Sequence, residues 1–229
     1  PEALNHSLGY GTADVDDYNA NDSFYDAFVA TYDISVAKSA GNGGWGSTSP
    51  TITHPATAYN LLAVANMNDR GTTDRTDDVR SSSSSVGPTV NNRRKPDISA
   101  PGTNIMSTNN SWSGAASGNS DPNCWNAAAR VGDNFQRCSG TSMAAPHVAA
   151  AGVLLNDGGV YDPMIQKAVL INTADAWTSN DTSTTADDGP VDGSFWDMSY
   201  GWGYLDMSEA HFNRSDYFTG SVIARNDNS

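Results

Sequence analysis

Ser142 is the residue of this sequence best placed to act as a nucleophile. It follows Gly140-Thr141 and leads into Met143-Ala144-Ala145-Pro146-His147-Val148-Ala149, a run of mostly small and apolar residues continuing to Leu155. Gly140 can take backbone angles closed to other residues. The run after it suits a helix buried against a core. Ser142 then stands at the mouth of that helix, where unpaired N–H groups and the positive end of the dipole favour negative charge. Taken alone, a serine there is equally an ordinary helix cap. Acyl transfer asks for more: donors aimed at a developing oxyanion. The Ser142 N–H is one. The turn Ala40-Gly41-Asn42-Gly43-Gly44 offers another, because it displays the short amide of Asn42 where an apolar run stops.

A serine nucleophile also needs a base, and the base an orienting carboxylate. The chain has four histidines. His147 lies five residues past Ser142, which on a helix turns it roughly 140° away. His6 neighbours Ser7 on a strand, so their side chains face opposite sides. His54 precedes Pro55 at a strand entry, and His211 sits near the end on a short helix. Each reads as structural, so the 229 residues are expected to lack a complete triad.

The whole run Gly140-Thr141-Ser142-Met143-Ala144-Ala145-Pro146-His147-Val148-Ala149 closely resembles the nucleophile segment of the subtilisin-like serine proteases, the subtilases (peptidase S8 family). Lys38-Ser39-Ala40-Gly41-Asn42-Gly43-Gly44 resembles the family segment that supplies the oxyanion-hole asparagine, which implies that role for Asn42. Asn5-His6-Ser7-Leu8-Gly9 resembles the family strand N-x-S-L-G. By that resemblance Ser7, Leu8 and Gly9 line the primary specificity cleft opposite Ala40, Gly41 and Asn42, and pair with an extended peptide substrate by strand addition. Further similar segments are His54-Pro55-Ala56, Lys95 to Gly102, Ile171-Asn172-Thr173-Ala174 and Tyr200-Gly201-Trp202-Gly203, in family order from Asn5 to about Ala210. A lipase-type elbow would need glycine two residues after the serine, and Ala144 stands there.

In subtilases the aspartate and histidine segments precede the N-x-S-L-G strand. This sequence holds no D-T/S-G or H-G-T-H segment of those types. The resemblance therefore implies that residues 1–229 are the C-terminal portion of a single catalytic domain. The His and Asp would come from an upstream segment or a second polypeptide. An exposed sheet edge is expected where the N-terminal strands are missing. The alternative is a catalytically inactive subtilase-like module that binds or scaffolds.

The elements that must position these residues alternate. Strands are expected at Ala3–Gly9, Ile34–Ala40, Leu61–Ala65 and Pro96–Ala100. Helices are expected at Asp22–Tyr32 (capped by Asn21, Asp22 or Ser23, with Phe24, Phe28 and Tyr32 on one face), Thr141–Leu155, Pro163–Thr173 and Asp206–Phe212. Asp69–Val90, with five consecutive serines, and Ser107–Gln136 read as loops. The alternation argues for an α/β fold with a parallel sheet. The resemblance makes it the subtilisin-like three-layer fold, here lacking the N-terminal strands.

The formal net charge of −14, from 12 basic and 26 acidic residues, leaves no cationic surface for nucleic acid or anionic lipid. No run is apolar enough to cross a membrane. Cys124 and Cys138, the only cysteines, enclose a short loop before Ser142. They are either a disulfide or two buried thiols; a bridge is the expectation and would fit an oxidising, extracellular setting. Secretion is expected accordingly. The resemblance implies no cofactor for the chemistry. Structural calcium, frequent in the family, is left open: Asp14-Val15-Asp16-Asp17, Asp74–Asp78 and Asp181–Asp192 are acidic loops without EF-hand spacing, and no ligands are assigned.

Overall fold

Ser35–Ser39 and Leu62–Asn68 form the two central strands, β2 and β3, and both are almost wholly buried. A strand covered on both faces reads as a continuous rather than alternating run, and Leu62-Ala63-Val64-Ala65 does so. The computed structural model describes residues 1–9, 18–44, 50–108, 135–175, 177 and 196–215. Cys124 and the acidic stretches Asp14–Asp17 and Asp181–Asp192 lie outside them.

Strand β1 (Ala3–His6) pairs parallel with β2, and β2 parallel with β3. Two further strands join β3: β4 (Val79–Arg80), antiparallel, and β5 (Ile98–Pro101), parallel. Val64 pairs with both β2 and β5, and Met67 with both β4 and β5. Strand β4 therefore continues the line of β2 on one side of β3, while β5 holds the other. Among the described residues β1 has one sheet neighbour, so its far side is an edge.

Helices α2 (Thr141–Asp157) and α3 (Pro163–Asn172) cover one face of the sheet. Ala144, Val148, Ala151 and Leu155 pack there with Ala37, Leu62, Val64, Ile98 and Ala100, and Ala210 of α4 (Met207–Phe212) joins the same core. Small residues along α2 let it approach the strands closely. Helix α1 (Ala20–Tyr32) covers the other face, where Val29 packs with Val36, Leu61 and Ala63. The result is a helix–sheet–helix sandwich, mostly parallel, as expected.

Three local readings differ. The cap of α1 is Asn19, whose side chain accepts from the N–H groups of Asn21 and Asp22 while Asp22 reaches back to the Asn19 N–H. The helix thus starts before the positions read as caps, since this reciprocal box closes both orphan donors. Second, the face that carries Phe24, Phe28 and Tyr32 is only partly covered: Phe28 packs against the Val29 core, while Phe24 is 60 % and Tyr32 63 % exposed. Third, the stretches read as loops carry structure. Ile105–Thr108 and Phe135–Cys138 pair antiparallel as β6 and β7, and Ser84 and Ser85 are fully buried. Polar composition hid this, because backbone pairing and hydroxyl bonds can bury polar residues as well as side-chain apolarity can.

Candidate active site

Ser142 is the second residue of α2 rather than its cap. Gly140 precedes the helix at φ 150°, a backbone that favours glycine, and a Cβ there would stand 3.2 Å from Asn42 Nδ2. The first helical turn has N–H groups without intrahelical partners, and one is used at once. The Thr141 N–H donates to Asn42 Oδ1 at 2.9 Å, and Thr141 Oγ1 donates to the same oxygen at 3.0 Å. A backbone N–H can only donate, so these contacts identify the oxygen of the amide and leave the two N–H donors of Nδ2 for another acceptor. Thr141 Oγ1 also accepts from the Gly41 N–H at 3.2 Å. The Asn42 turn and the start of α2 are thereby bolted together.

A second link ties β1 to α2. Pro146 stands four residues after Ser142 and has no N–H, so the Ser142 carbonyl loses its helical donor. Ser7 Oγ supplies one at 3.0 Å and accepts in turn from Asn5 Nδ2 at 3.1 Å. Ser142 Oγ donates to the Ser7 carbonyl at 3.1 Å. The structure thus brings Ser142, Asn42 and Ser7 together. Leu8 (67 % exposed) and Gly9 continue outward from Ser7, while Ala40 is buried and Gly41 half-buried. Both strand ends meet Thr53: a Cβ at Gly9 would stand 3.0 Å from Thr53 Oγ1, and one at Gly41 2.9 Å. Thr53 also donates its N–H to the Ala40 carbonyl. Sequence reading missed Thr53, since a threonine in T-I-T carries no chemical signature.

None of the histidines is bonded to Ser142. His147 Nδ1 donates to the Met143 carbonyl at 3.0 Å within α2. His54 is buried with its Nδ1 2.6 Å from Asp22 Oδ2, and Thr57 completes that cluster beside α1. His6 packs its ring on Tyr25, and burial together with the nearby Lys38 charge lowers its pKa. His211 belongs to α4. Beside Ser142 runs a cleft of about 310 Å³ between β6 (Ile105, Met106, Ser107) and the first turns of α2 (Met143, Pro146, His147).

Under the strand end that leads to Asn42 lies Lys38, fully buried, its Nζ donating to Ser39 O at 2.6 Å and Ser39 Oγ at 2.9 Å. Burial lowers its pKa to about 7. The other two lysines, by contrast, both meet Asp97: Lys95 at 2.5 Å and Lys167 at 3.1 Å. Cys138 is buried at the end of β7. In the described acidic stretch Asp74–Asp78 the carboxylates serve local turns. Asp74 caps Thr76, Asp77 accepts from Thr72, and among the described residues no three acidic, histidine or cysteine side chains converge.

Residues 2–203 match the Subtilase family, peptidase S8. The chain belongs to the subtilases. It is 33 % identical over 181 residues to the serine protease AprX of Bacillus subtilis, covering 79 % of this chain and 39 % of that protein. Among solved structures it superposes on fervidolysin from Fervidobacterium pennivorans, a keratinolytic enzyme related to subtilisin. The TM-score is 0.59 at 25 % identity, over 92 % of this chain and 26 % of that one. The prenylagaramide maturation protease PagA shares the fold, with a TM-score of 0.61 at 21 % identity, over 93 % of this chain and 62 % of the other. The chain thus spans about two fifths of the length of AprX.

Proposed function

We propose that this chain is the C-terminal portion of a single subtilase catalytic domain and supplies the nucleophile and oxyanion side of a serine endopeptidase. The observation that carries the reading is the pair of hydrogen bonds from Thr141 to Asn42 Oδ1, which among the described residues leaves the Nδ2 donors to another acceptor, next to Ser142. Ser142 Oγ attacks the scissile carbonyl carbon, and the oxyanion is held by Asn42 Nδ2 and the Ser142 N–H. The proton passes to an imidazole and then to the leaving amine as the C–N bond breaks; water hydrolyses the acyl-enzyme. The imidazole and its aspartate come from an upstream segment or a second polypeptide. The cleft beside Ser142, the single-neighbour strand β1 and the exposed aromatic face of α1 support that reading, as surfaces such a segment would cover. The substrate is an extended peptide lying between Ser7-Leu8-Gly9 and Ala40-Gly41. Every catalytic role is filled by a protein group, so no cofactor enters the chemistry. The protein is secreted, with Cys124 bridged to Cys138.

One observation favours the alternative of an inactive binding module: the Ser142 hydroxyl is engaged by the Ser7 carbonyl. A fluorophosphonate probe on the full-length protein separates the two. Labelling at Ser142, lost in Ser142→Ala, is expected. An unlabelled preparation shown to contain the upstream His and Asp segments would sink the protease reading. Intact mass under denaturing conditions tells one polypeptide from two.

A further inference from the structure

The side chain of Asn42 is exposed and sits in a glycine-flanked turn, so something must hold its backbone still if the amide is to meet an oxyanion. Thr141 grips the side-chain oxygen and the Gly41 N–H, but neither of the peptide groups that flank Asn42. The two peptide groups on either side of Asn42 are held by a single other residue. The Ser85 N–H donates to the Gly41 carbonyl at 2.9 Å, which fixes the peptide before Asn42. Ser85 Oγ accepts from the Gly43 N–H at 3.0 Å, which fixes the peptide after it. One residue on, the Gly44 N–H donates to the Ser83 carbonyl at 3.0 Å. Ser85 is fully buried. Its segment is anchored in turn: Ser84 Oγ accepts from the Asn66 N–H on β3, and the Ser81 N–H donates to the Asn66 carbonyl. Gly41, at φ 119°, passes so close that a Cβ would stand 2.7 Å from Ser85 Oγ.

We propose that Ser85 is a positioning residue for the reaction, acting through Asn42: its N–H and hydroxyl bracket the two peptide groups that flank the oxyanion-binding amide. This rests on the role given to Asn42 above. A donor that is preorganised contributes most when it needs no rearrangement as charge develops, and small misplacements are costly in rate. The five-serine run, a loop by composition, thereby becomes the outer half of a clamp whose inner half is Thr141.

The test is a kinetic cycle in the full-length enzyme with Ser85→Ala, Asn42→Ala and the double variant, read as kcat and KM on one peptide substrate, with melting temperature as the check on folding. Ser85→Ala is expected to lower kcat on the order of 10-fold with KM within about twofold. In the Asn42→Ala background the same change is expected to alter kcat by less than about twofold, because the group it positions is gone. Independent, multiplying effects would overturn the proposal, as would an unchanged kcat in Ser85→Ala. An Asn42→Ala enzyme with undiminished kcat would instead overturn the role of Asn42 itself. Should Ser85→Ala not fold, Ser85→Cys, close in size and a weaker acceptor, carries the same cycle.

Discussion

The two faces of the sheet are built from alternate residues of the same strands, yet they are finished differently. On the face of α2 and α3, Leu62, Val64, Ile98 and Ala100 meet a helix of alanines and aliphatics, and the core closes at Ala144, Val148, Ala151 and Leu155. On the face of α1, Val36 and Ala63 meet Val29, and beyond it the aromatics stack mainly on one another. Phe24 and Phe28 lie 6.2 Å apart and Phe28 and Tyr32 5.1 Å apart, with Phe24 and Tyr32 mostly in solvent. Ser142 lies in the first turn of the helix on the closed face, while β1, followed at once by Ser7, which meets Ser142, has one sheet neighbour among the described residues. The lesson is one of division: one side seats Ser142 at the end of a closed core, while the other presents partly exposed aromatics and a strand with one sheet neighbour among the described residues.

That contrast can be broken by measurement, and the largest effect should come from the closed face. Leu155→Ala is expected to destabilise the protein by about 2–5 kcal/mol, the range for emptying a fully packed leucine site. Urea unfolding reads this; a cost under about 1 kcal/mol would mean the α2 core is not closed. Ser7→Ala removes the donor that replaces the N–H missing at Pro146, leaving the Ser142 carbonyl without it. A loss of about 1–2 kcal/mol is expected by the same method, with slower probe labelling of Ser142 because the strand end and helix start are uncoupled. Equal labelling rates would show that the two regions are joined by other contacts.

Lys38 sharpens the comparison on the α1 side through pH. Its folded pKa, lowered by burial to about 7, lies below its unfolded value near 10.4. The unfolded chain therefore binds more protons between these values, and stability from this group rises with pH across that window. Lys38→Met is expected to be more stable than the parent at and below pH 7, with the advantage shrinking towards pH 10. Unfolding curves at three pH values check it, and a pH-independent difference would contradict it. The smallest effect belongs to the open face: Phe24→Ser should change the stability of this chain by no more than about 0.5 kcal/mol. A loss of several kcal/mol would show that the aromatic face is already packed.

Where the candidate residues sit in the fold was legible in advance, for local reasons. Gly140-Thr141-Ser142 and Ala40-Gly41-Asn42 combine backbone freedom with functional side chains at a helix start and a strand end, and both appear where expected. The strand Ala3–His6 and helix Pro163–Asn172, with proline in its first turn, were likewise readable from short-range pattern. The Asn19 cap was missed by a few residues because several capping types crowd there. Ser84 and Ser85 do lie in a loop, as read, but their burial was not legible, because a serine run is polar by composition and becomes interior only when distant backbone groups, those of Asn66, Gly41 and Gly43, arrive to bond it.

The sequence by itself determined the family and the parallel α/β pattern, and it singled out Ser142 and Asn42 as the candidates for nucleophile and oxyanion donor. These depend on residue identity and spacing along the chain. Only the tertiary structure decided that Thr141 grips Asn42 by its oxygen, that Ser7 repays the donor lost at Pro146, and that the aromatic face of α1 looks outward. Those facts depend on contacts between residues up to 135 positions apart, and local periodicity says which residues share a face but not what covers it.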